Sequence, residues 1–324
     1  RIQTVAQVLS REALQAHYQP IVDLKTGKVM AHESLIRGPV DTPLHMPDPL
    51  FRAARSEGLS VKLEQACLVA ALRTWVTHAQ GKRLFVNLSA QTLVTMVESL
   101  SIAGVMQALS KLNVAPSALV IEITEHEHVS DLPRLIEVAA ALRALGLRFA
   151  LDDFGDGRSS LRLWAELRPE FVKIDKYFVH DLPHQAVKVQ TIKGVMRFAE
   201  TFGTLLVAEG IETEAELQVV RDLGIEFGQG YLLGRPQAEP ADSVLEGAGR
   251  IIASSEISVL PEMTRAASAD FTVQRLAIAV QTFAVDTTID DAAAAFTRDG
   301  TLRSVALVDN GCPVGLLNRQ TFVD

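Results

Sequence analysis

The sequence is poor in cysteine. Its 324 residues include two cysteines, Cys67 and Cys312, which lie far apart and form no CxxC motif or Cys/His cluster. This scarcity argues against a structural zinc site and is typical of proteins in a reducing compartment. We therefore expect a cytoplasmic protein.

Segments that direct a chain into a membrane are also missing. No uncharged apolar run approaches the roughly 20 residues that a membrane-spanning helix needs. The first residues, RIQTVAQVLSREALQ, lack the apolar centre of a signal peptide. We expect no membrane contact from this chain. It begins at Arg1 rather than Met, which leaves open an upstream membrane or sensor segment.

Positive charge is in deficit. The chain has 31 basic and 39 acidic residues, a formal net charge of -8. Proteins that bind polynucleotides through the phosphate backbone need clustered positive charge. We therefore expect no polynucleotide partner, and an anionic ligand would need cations to mediate its binding.

Short runs rich in Val, Ile, Leu and Phe alternate with segments of helical periodicity, which predicts an α/β protein with a largely parallel sheet. Eight such runs come before residue 240: YQPIVDL, VMAHESLI, LFVNLS, LVIEIT, RFALDD, FVKID, LLVAEG and FGQGYLL. Eight strands favour a modified (β/α)8 TIM-type barrel, with a doubly wound sheet as the alternative. LKTGK joins the first two runs and predicts a hairpin, hence one antiparallel pair near the start.

The composition changes near residue 240, where GRPQAEPADSVLEGAGR combines prolines with small residues. We predict two domains, a barrel over residues 1–247 and a small α+β segment over 248–324. The segment is expected to have a linker helix from Glu256 to Phe283 and a hairpin at the Asn310-Gly311 turn between SVALVD and PVGLLN. Its small size predicts that it packs on the barrel or on a partner.

Polar residues recur at or near the carboxyl ends of the predicted strands. In a (β/α)8 barrel these ends meet at one mouth, where barrel enzymes build their active sites. Any one such residue alone could be a helix cap or a solvated loop residue. The set comprises Glu33, Asn87, Glu122, Asp152, Asp153, Lys173, Glu209 and Gln229.

Several carboxylates at one mouth repel one another and stay ionised only if cations neutralise them. Oxygen ligands without His or Cys suit Mg²⁺ or Mn²⁺ better than zinc. The adjacent Asp152 and Asp153 suggest two ions, about 3.5 to 4 Å apart, that activate a water for displacement at phosphorus. Lys173 would then orient that water or stabilise the developing charge. Alternatively, Lys173 is a buried lysine in a structural ion pair.

The motifs of these strands resemble those of the EAL-domain phosphodiesterases, which cleave the bacterial second messenger cyclic di-GMP (c-di-GMP). The resemblance extends over residues 1 to about 245 and implies a modified barrel with an antiparallel strand near its start. It rests on YQPIVDLKTGKV, HESLIRG, FVNLSAQTL, VIEITE, LDDFGDGRSSL, VKIDKYFV, VAEGIETEAEL and GQGYLLGRP.

The resemblance implies two divalent cations, Mg²⁺ or Mn²⁺. The ligands of one ion would be Glu33, Asn87, Glu122 and Asp152. The second ion would be bound by Asp152, Asp153 and Glu209, with Asp175 close behind. The family's Ala is Ser34 here, a change that leaves the metal-binding Glu33 intact.

The resemblance also implies catalytic and substrate-binding roles. Lys173 would engage the attacking water, and Glu209 would assist as a base. Glu125 would steady the loop after Asp153, and Arg37 and Gln229 would face the guanine or phosphate part of the substrate.

Two further expectations concern assembly. The loop from Asp153 to Leu161 resembles a segment that couples catalysis to dimerisation, which predicts a homodimer. The tail from about Glu256 resembles the first repeat of a CBS module. CBS repeats bind adenine nucleotides in pairs, so the resemblance implies an adenine nucleotide where the pair is complete, in a longer signalling protein.

The sequence thus predicts metal-dependent hydrolysis of c-di-GMP to linear 5′-pGpG. The main alternative is a catalytically silent receptor or scaffold that uses the same pocket. A less favoured alternative is an unrelated metal-dependent barrel such as an enolase-type lyase, which would need a base acting on carbon.

Overall fold

The structure is a computed structural model that describes residues 2–78, 81–124, 131–155, 161–261, 281–299 and 302–322. These residues belong to two compact units, Arg1–Met263 and Thr264–Asp324.

The first unit contains a closed barrel of eight strands in chain order, which excludes the doubly wound alternative. β1 is antiparallel to both of its neighbours, β2 and β8, and the other neighbouring strands are parallel. The eight predicted strands are therefore confirmed. Their bounds are β1 Gln15–Asp23, β2 Val29–Arg37, β3 Arg83–Leu88, β4 Leu119–Thr124, β5 Arg148–Phe154, β6 Phe171–Ile174, β7 Leu205–Ala208 and β8 Phe227–Gly228.

The predicted hairpin between β1 and β2 is confirmed, and local hydrogen bonds explain it. The Asp23 carboxylate accepts the backbone N–H groups of Lys25 and Thr26, at 2.8 and 2.9 Å. Gly27 adopts φ +70°, a conformation that costs glycine little. The turn therefore reverses the chain and makes β1 antiparallel to the rest of the barrel.

Helices surround the barrel and cover the outer faces of its strands. Their inward faces and the outward strand residues form the larger hydrophobic core, with Tyr18, Leu72 and Trp164 among its buried members. The helices of this unit are α1 Val5–Ser10, α2 Pro47–Ser56, α3 Ser60–His78, α4 Ala90–Lys111, α5 Leu132–Ala144, α6 Leu161–Leu167, α7 Lys176–Val179, α8 Ala186–Phe202, α9 Glu214–Leu223 and α10 Glu246–Ala253.

By length and composition alone, one described helix, α4, is long and apolar enough to cross a membrane, although only 17% of its apolar window is buried. Such a match is weak evidence, because helices of soluble proteins pass the same test. Leu93 and Val97 of α4 pack in the hydrophobic core, and its backbone is not helical at Ser101. The expected absence of membrane contact stays a prediction.

The chain after α9 differs in part from the predicted linker. Ala248 and Ile252 of α10 pack in the core of the first unit, so this helix belongs with the barrel rather than with a linker from residue 248. The predicted helix from Glu256 is wrong where the structure describes the chain, because residues 256–261 form no helix. Residues 262–280 lie outside the described residues.

Side chains of α9 explain why this stretch is extended. The Arg221 guanidinium donates to the carbonyls of Ile251, Ser254 and Glu256. The neighbouring Asp222 carboxylate accepts the Ser258 N–H at 2.6 Å. These bonds occupy backbone groups that helical hydrogen bonds would otherwise need.

The described part of the second unit is a small α+β arrangement: β9 Thr282–Ala284, α11 Ile289–Arg298, β10 Ser304–Asp309 and β11 Cys312–Asn318. β10 lies between β9, to which it is parallel, and β11, to which it is antiparallel. The predicted Asn310-Gly311 turn is confirmed, and both residues have positive φ. Phe283, expected at the end of a linker helix, lies in β9. The CBS-type identity of this unit stays a prediction.

Candidate active site

An apolar layer fills the middle of the barrel and supports the candidate site. Phe85 and Phe171 pack edge to face within it, with ring centroids 5.1 Å apart. Inward-facing residues of seven strands form the layer: Ile21, Ala31, Phe85, Val120, Ala150, Phe171 and Val207.

The predicted polar residues form the next layer toward the mouth. Residues two apart in a strand face the same side, so each polar residue lies above the apolar residue that precedes it by two. This period places Glu33 above Ala31 and Asn87 above Phe85. The inward polar residues of the parallel strands and the turns after them are Glu33, Asn87, Glu122, Asp152, Lys173, Glu209 and Gln229.

Lys173 is the centre of this polar layer. Its side chain is 1% exposed, and its ammonium nitrogen Nζ contacts four carboxylates. The distances from Nζ are 2.8 Å to Glu209 Oε1, 3.0 Å to Asp152 Oδ1, 3.1 Å to Glu33 Oε2 and 3.2 Å to Glu122 Oε1. One ammonium group cannot neutralise four carboxylates, so the cluster carries a surplus of negative charge.

The pKa shifts follow from this crowding. Burial acts to lower the pKa of Lys173, but the charges of Asp152, Glu122, Glu209 and Glu33 outweigh it and raise that pKa well above its usual value. Burial raises the pKa of Glu122 and the charge of Glu33 raises it further, well above the usual range. Burial likewise raises the pKa of Glu209 well above normal, despite the nearby Lys173.

Glu33 differs from its neighbours. Burial acts to raise its pKa, but the Lys173 charge and hydrogen bonds lower it below the usual value. Gln229 Nε2 donates to Glu33 Oε2 at 2.6 Å, and Asn87 Nδ2 donates to Glu33 Oε1 at 3.1 Å. Glu33 is therefore the carboxylate whose ionised form the surrounding protein favours.

Several carboxylate oxygens have coordination capacity that the protein does not use. Both oxygens of Glu122, together with Asp152 Oδ1, are buried and accept no hydrogen bond from the described residues. Lys173 faces two of these oxygens as an ion pair only. Buried carboxylates normally have hydrogen-bond partners or coordinate metals, so this arrangement fits a cation.

Two groups of three carboxylates in the described part of the chain could each bind a metal ion. One contains Glu33, Glu122 and Asp152, and the other contains Asp152, Asp153 and Glu209. Within each group the ligand atoms lie within 4.8 Å of one another. Asp152 is common to both groups, which is the arrangement needed for two neighbouring ions that share one bridging carboxylate. All five residues were predicted as ligands from the sequence.

Asp153 has an unusual backbone conformation. Its φ is 52°, in the left-handed region that few residues other than glycine adopt. Strain of this kind clusters at functional sites. This conformation brings the side chains of two successive residues, Asp152 and Asp153, into one cluster of carboxylates.

Gln19 belongs to the same network, and the sequence analysis missed it. Gln229 Nε2 donates to Gln19 Oε1 at 3.1 Å as well as to Glu33, and Gln19 Nε2 donates to the Gly234 carbonyl at 3.1 Å. Gln19 lies on the antiparallel strand β1, so it reaches the mouth two residues before Ile21. The predicted antiparallel pair was the signal that could have located it.

Two predicted site residues, Arg37 and Asp175, are not brought into the cluster. Arg37 donates to the Ile36 carbonyl at 2.9 Å, and Asp175 caps α7 by accepting the Tyr177 N–H at 2.8 Å. Neither has a hydrogen bond or ion pair to the carboxylate cluster among the described residues. Glu125 lies outside the described residues.

A cavity of about 400 Å³ opens beside the cluster. Glu33, Asn87 and Asp152 are among its lining residues, and the others come from β2, β3, α2 and α3, with Ser89 after β3. The candidate metal ligands are therefore open to a small-molecule ligand.

Comparison with known proteins agrees with this geometry. The EAL domain family matches residues 2–236. The bifunctional diguanylate cyclase/cyclic di-GMP phosphodiesterase MucR of Pseudomonas aeruginosa is 32% identical over 249 residues, which are 74% of this chain and 35% of MucR. The chain spans about a third of the length of the first curated relatives it matches.

Solved structures give the same result. The PaMucR phosphodiesterase in complex with c-di-GMP is 32% identical, with a TM-score of 0.63 over 73% of this chain and 96% of that one. Klebsiella pneumoniae BlrP1 in a manganese and cyclic di-GMP complex is 29% identical, with a TM-score of 0.62 over 69% of this chain and 56% of that one. The chain therefore belongs to the EAL domain family.

Proposed function

We propose that this chain is a metal-dependent phosphodiesterase that hydrolyses c-di-GMP. Water adds to one phosphorus, the bond to a ribose 3′-oxygen breaks, and linear 5′-pGpG results. One observation carries the proposal: four carboxylates surround a single buried lysine, and three of their oxygens accept no hydrogen bond from the described residues. The MucR and BlrP1 structures with c-di-GMP support the choice of substrate.

The residues at the mouth fit two divalent cations. Glu33, Asn87, Glu122 and Asp152 would hold one, and Asp152, Asp153 and Glu209 the other. When bound, such ions lower the pKa of a coordinated water and offset charge on the phosphoryl oxygens. Carboxylate and amide oxygens suit Mg²⁺ or Mn²⁺, and the manganese complex of BlrP1 supports the second choice.

Lys173 orients the attacking water and stabilises charge at phosphorus. Four carboxylates hold its ammonium group at the mouth. The group is therefore already in position before the substrate binds. Glu209 Oε1, 2.8 Å from Lys173 Nζ, accepts the proton of the water.

Arg37 and Gln229 are proposed to face the substrate, and Glu125 to steady the loop after Asp153. Gln229 holds Glu33 through Nε2, and its Oε1 is buried without a hydrogen-bond partner among the described residues. This oxygen is the part of Gln229 that remains for a substrate donor. The backbone N–H of Asp175 donates to the Phe154 carbonyl at 3.1 Å.

The alternative is a silent receptor that binds c-di-GMP in the same cavity. A receptor can lose metal ligands without losing its function, whereas an enzyme cannot. Every position of the implied ligand set carries a metal-binding residue in this chain, which favours the enzyme.

Chromatography of c-di-GMP incubated with the protein and Mg²⁺ or Mn²⁺ tests the proposal. We expect pGpG that disappears with a chelator. We expect Lys173→Ala to reduce turnover at least about a hundredfold while retaining substrate binding, because it removes a charged group that acts on the transition state. Lys111→Ala, at an exposed position of α4, is the matched control.

Binding of c-di-GMP without product in any metal would support the receptor instead. Near-normal turnover by Lys173→Ala would refute its catalytic role. Glu33→Ala and Asp152→Ala should in addition weaken metal binding, which titration calorimetry with Mn²⁺ would measure.

We also propose a cytoplasmic homodimer whose second unit is half of a CBS module. The β9-α11-β10-β11 order of the second unit supports the proposal that it is half of a CBS module. A monomeric mass in light scattering would contradict the dimer. Adenine nucleotide binding is expected only where a second CBS repeat completes the pair.

A further inference from the structure

A second cavity lies at the end of the barrel opposite the carboxylate cluster. Its lining residues come from the β1–β2 turn, the first residues of β2 and β3, and the turn before β4. The parallel strands begin at this end, whereas the candidate metal ligands lie at or near their carboxyl ends. The volume of this cavity is about 700 Å³, which is within the range of small-molecule sites.

This cavity has a surplus of positive charge. Of the described residues that line it, three are cationic, Lys28, Lys82 and Arg83, and one is a carboxylate, Asp23. Two backbone N–H groups of the β1–β2 turn donate to Asp23 Oδ1, at 2.8 and 2.9 Å, and offset part of its charge. The surplus stands out because the whole chain has a net charge of -8.

Arg83 is half-buried at the start of β3 and has no anionic partner. Its Nη1 donates to Met30 Sδ at 3.9 Å, and sulfur is a weak acceptor. Its guanidinium forms no ion pair with any residue that the structure describes. A guanidinium can donate two parallel hydrogen bonds to a phosphate, so a phosphate would supply the acceptors that the protein does not.

The two lysines can add charge to a ligand bound by Arg83. Lys28 is exposed, and its ammonium group has no ion pair within the described part of the chain. Lys82 contacts Asp242, whose side chain is 76% exposed. An ion pair with so exposed a partner contributes little, and an anion in the cavity can compete for Lys82.

Apolar side chains form another part of the cavity wall. Val29 is buried, and Met30 and Ala118 are half-buried. Inorganic phosphate would leave these surfaces uncovered. Cations next to an apolar wall therefore fit a phosphate that carries an organic group.

We propose that this cavity binds a small phosphorylated organic molecule, with Arg83 contacting two phosphate oxygens and Lys28 and Lys82 adding charge. The site goes beyond the proposed function, because it shares no residue with the carboxylate cluster or with the cavity beside that cluster. A polynucleotide is disfavoured, because three cations within one cavity of an acidic chain do not form the basic track that a polynucleotide needs.

Titration calorimetry of the full chain with phenyl phosphate tests this proposal. The buffer contains EDTA, so that no divalent cation at the carboxylate cluster recruits the phosphate. Inorganic phosphate lacks the organic group, and phenol lacks the phosphate. We expect phenyl phosphate to bind at least severalfold more tightly than either, because it alone contacts both the cations and the apolar wall.

Two variants test the named residues. Arg83→Gln removes the charge and the paired donors, so we expect the Kd for phenyl phosphate to rise at least about tenfold. Lys28→Gln removes an exposed charge and should raise the Kd severalfold. Arg197→Gln makes the first exchange at an exposed position of α8 and should leave the Kd unchanged.

Absence of phenyl phosphate binding would overturn the proposal, as would a Kd that neither Arg83→Gln nor Lys28→Gln changes. Lys28→Gln keeps the test decisive if Arg83→Gln fails to fold. Equal affinity for inorganic phosphate would refute the organic ligand. Sedimentation of the chain with phosphatidic acid vesicles, lost in Arg83→Gln, would assign the phosphate to a lipid and refute the soluble ligand. Hydrolysis of c-di-GMP, measured separately with Mn²⁺, is independent of these outcomes.

Discussion

Gln19 is expected to act through Gln229 on the metal ligand Glu33. The Gly234 carbonyl sets which end of the Gln19 amide faces Gln229, and Gln19 Oε1 then holds the Gln229 N–H₂ group toward Glu33. Gln19→Leu removes this acceptor and lets the Gln229 amide rotate. We expect the Kd for Mn²⁺ to rise about tenfold, as for other residues that orient metal ligands.

Titration calorimetry with Mn²⁺ measures this effect. Gln107→Leu makes the same exchange at an exposed position of α4 and serves as the control. Mn²⁺ affinity unchanged by Gln19→Leu would show that Glu33 is held without the Gln19 contact, even if the variant lost some stability.

At the scale of elements, the turn that carries Gln229 depends on a glycine. A Cβ at Gly230 would meet the Ile211 carbonyl oxygen at 2.1 Å and its nitrogen at 2.3 Å. Both are backbone atoms, so the turn must shift. We expect Gly230→Ala to destabilise the fold by about 2 kcal/mol or more and to weaken Mn²⁺ binding by displacing Gln229.

The matched control for this variant is Gly194→Ala in α8. A Cβ at Gly194 meets nothing within 4 Å. In a helix interior, alanine is more stabilising than glycine by roughly 0.5–1 kcal/mol. Urea denaturation should therefore give opposite signs for the two variants. Equal stability of both would mean that the Gly230 turn adapts at no cost.

The extended chain after α10 is attached to α9 by Asp222, and this attachment predicts a pH dependence. Burial acts to raise the Asp222 pKa, but hydrogen bonds from Arg221 and Ser258 lower it below the ordinary 3.8. A lowered pKa means that the ionised form stabilises the fold above the ordinary value and that this contribution is lost as the pH falls through the folded-state pKa.

Asp222→Asn removes the contribution at neutral pH. We expect a melting temperature about 2–4 °C below that of the unmodified chain at pH 7, as for a loss of ~1 kcal/mol in a domain of this size. The difference should shrink as the pH falls below the ordinary 3.8 toward the lowered folded-state pKa. Scanning calorimetry at pH 7 and at a series of lower pH values measures it, and a difference that stays constant with pH would refute the electrostatic cause.

At the scale of the whole molecule, the barrel could be predicted from apolar runs that alternate with helical segments, and most of the site from the polar residues at the carboxyl ends of those runs. Phe85 and Val120 belong to the apolar layer inside the barrel. Asn87 and Glu122 each follow two residues later on the same inward face and belong to the polar layer. The antiparallel hairpin could be predicted from its turn residues.

Features that depend on contacts between distant segments could not be predicted. Glu64 reaches Ser89 across the layer between helix and strand, and nothing in its local sequence distinguishes it from a surface glutamate. Likewise, the Arg221 guanidinium donates to carbonyls about 30 residues further along the chain. These bonds keep the segment after α10 extended, where local periodicity favours a helix. Such tertiary hydrogen bonds override local propensity.

Surplus negative charge at the mouth predicts that cations stabilise the barrel unit. Four carboxylates share one lysine, and an ion bound only by the folded state adds about 2.7 kcal/mol at a hundred times its Kd. Calorimetry of the full chain should show a transition that rises by several degrees with Mn²⁺ or Mg²⁺ and reverses with a chelator.

Glu122→Gln is the decisive comparison for this effect. Burial and the Glu33 charge raise the Glu122 pKa and so already disfavour its ionised form, so the metal-free barrel should melt at a temperature equal to or above that of the unmodified chain. The rise on adding Mn²⁺ should be smaller, because a ligand is lost. A metal-dependent rise of equal size in both proteins would place the stabilising ion away from Glu122, because only an ion bound by Glu122 loses a ligand in Glu122→Gln.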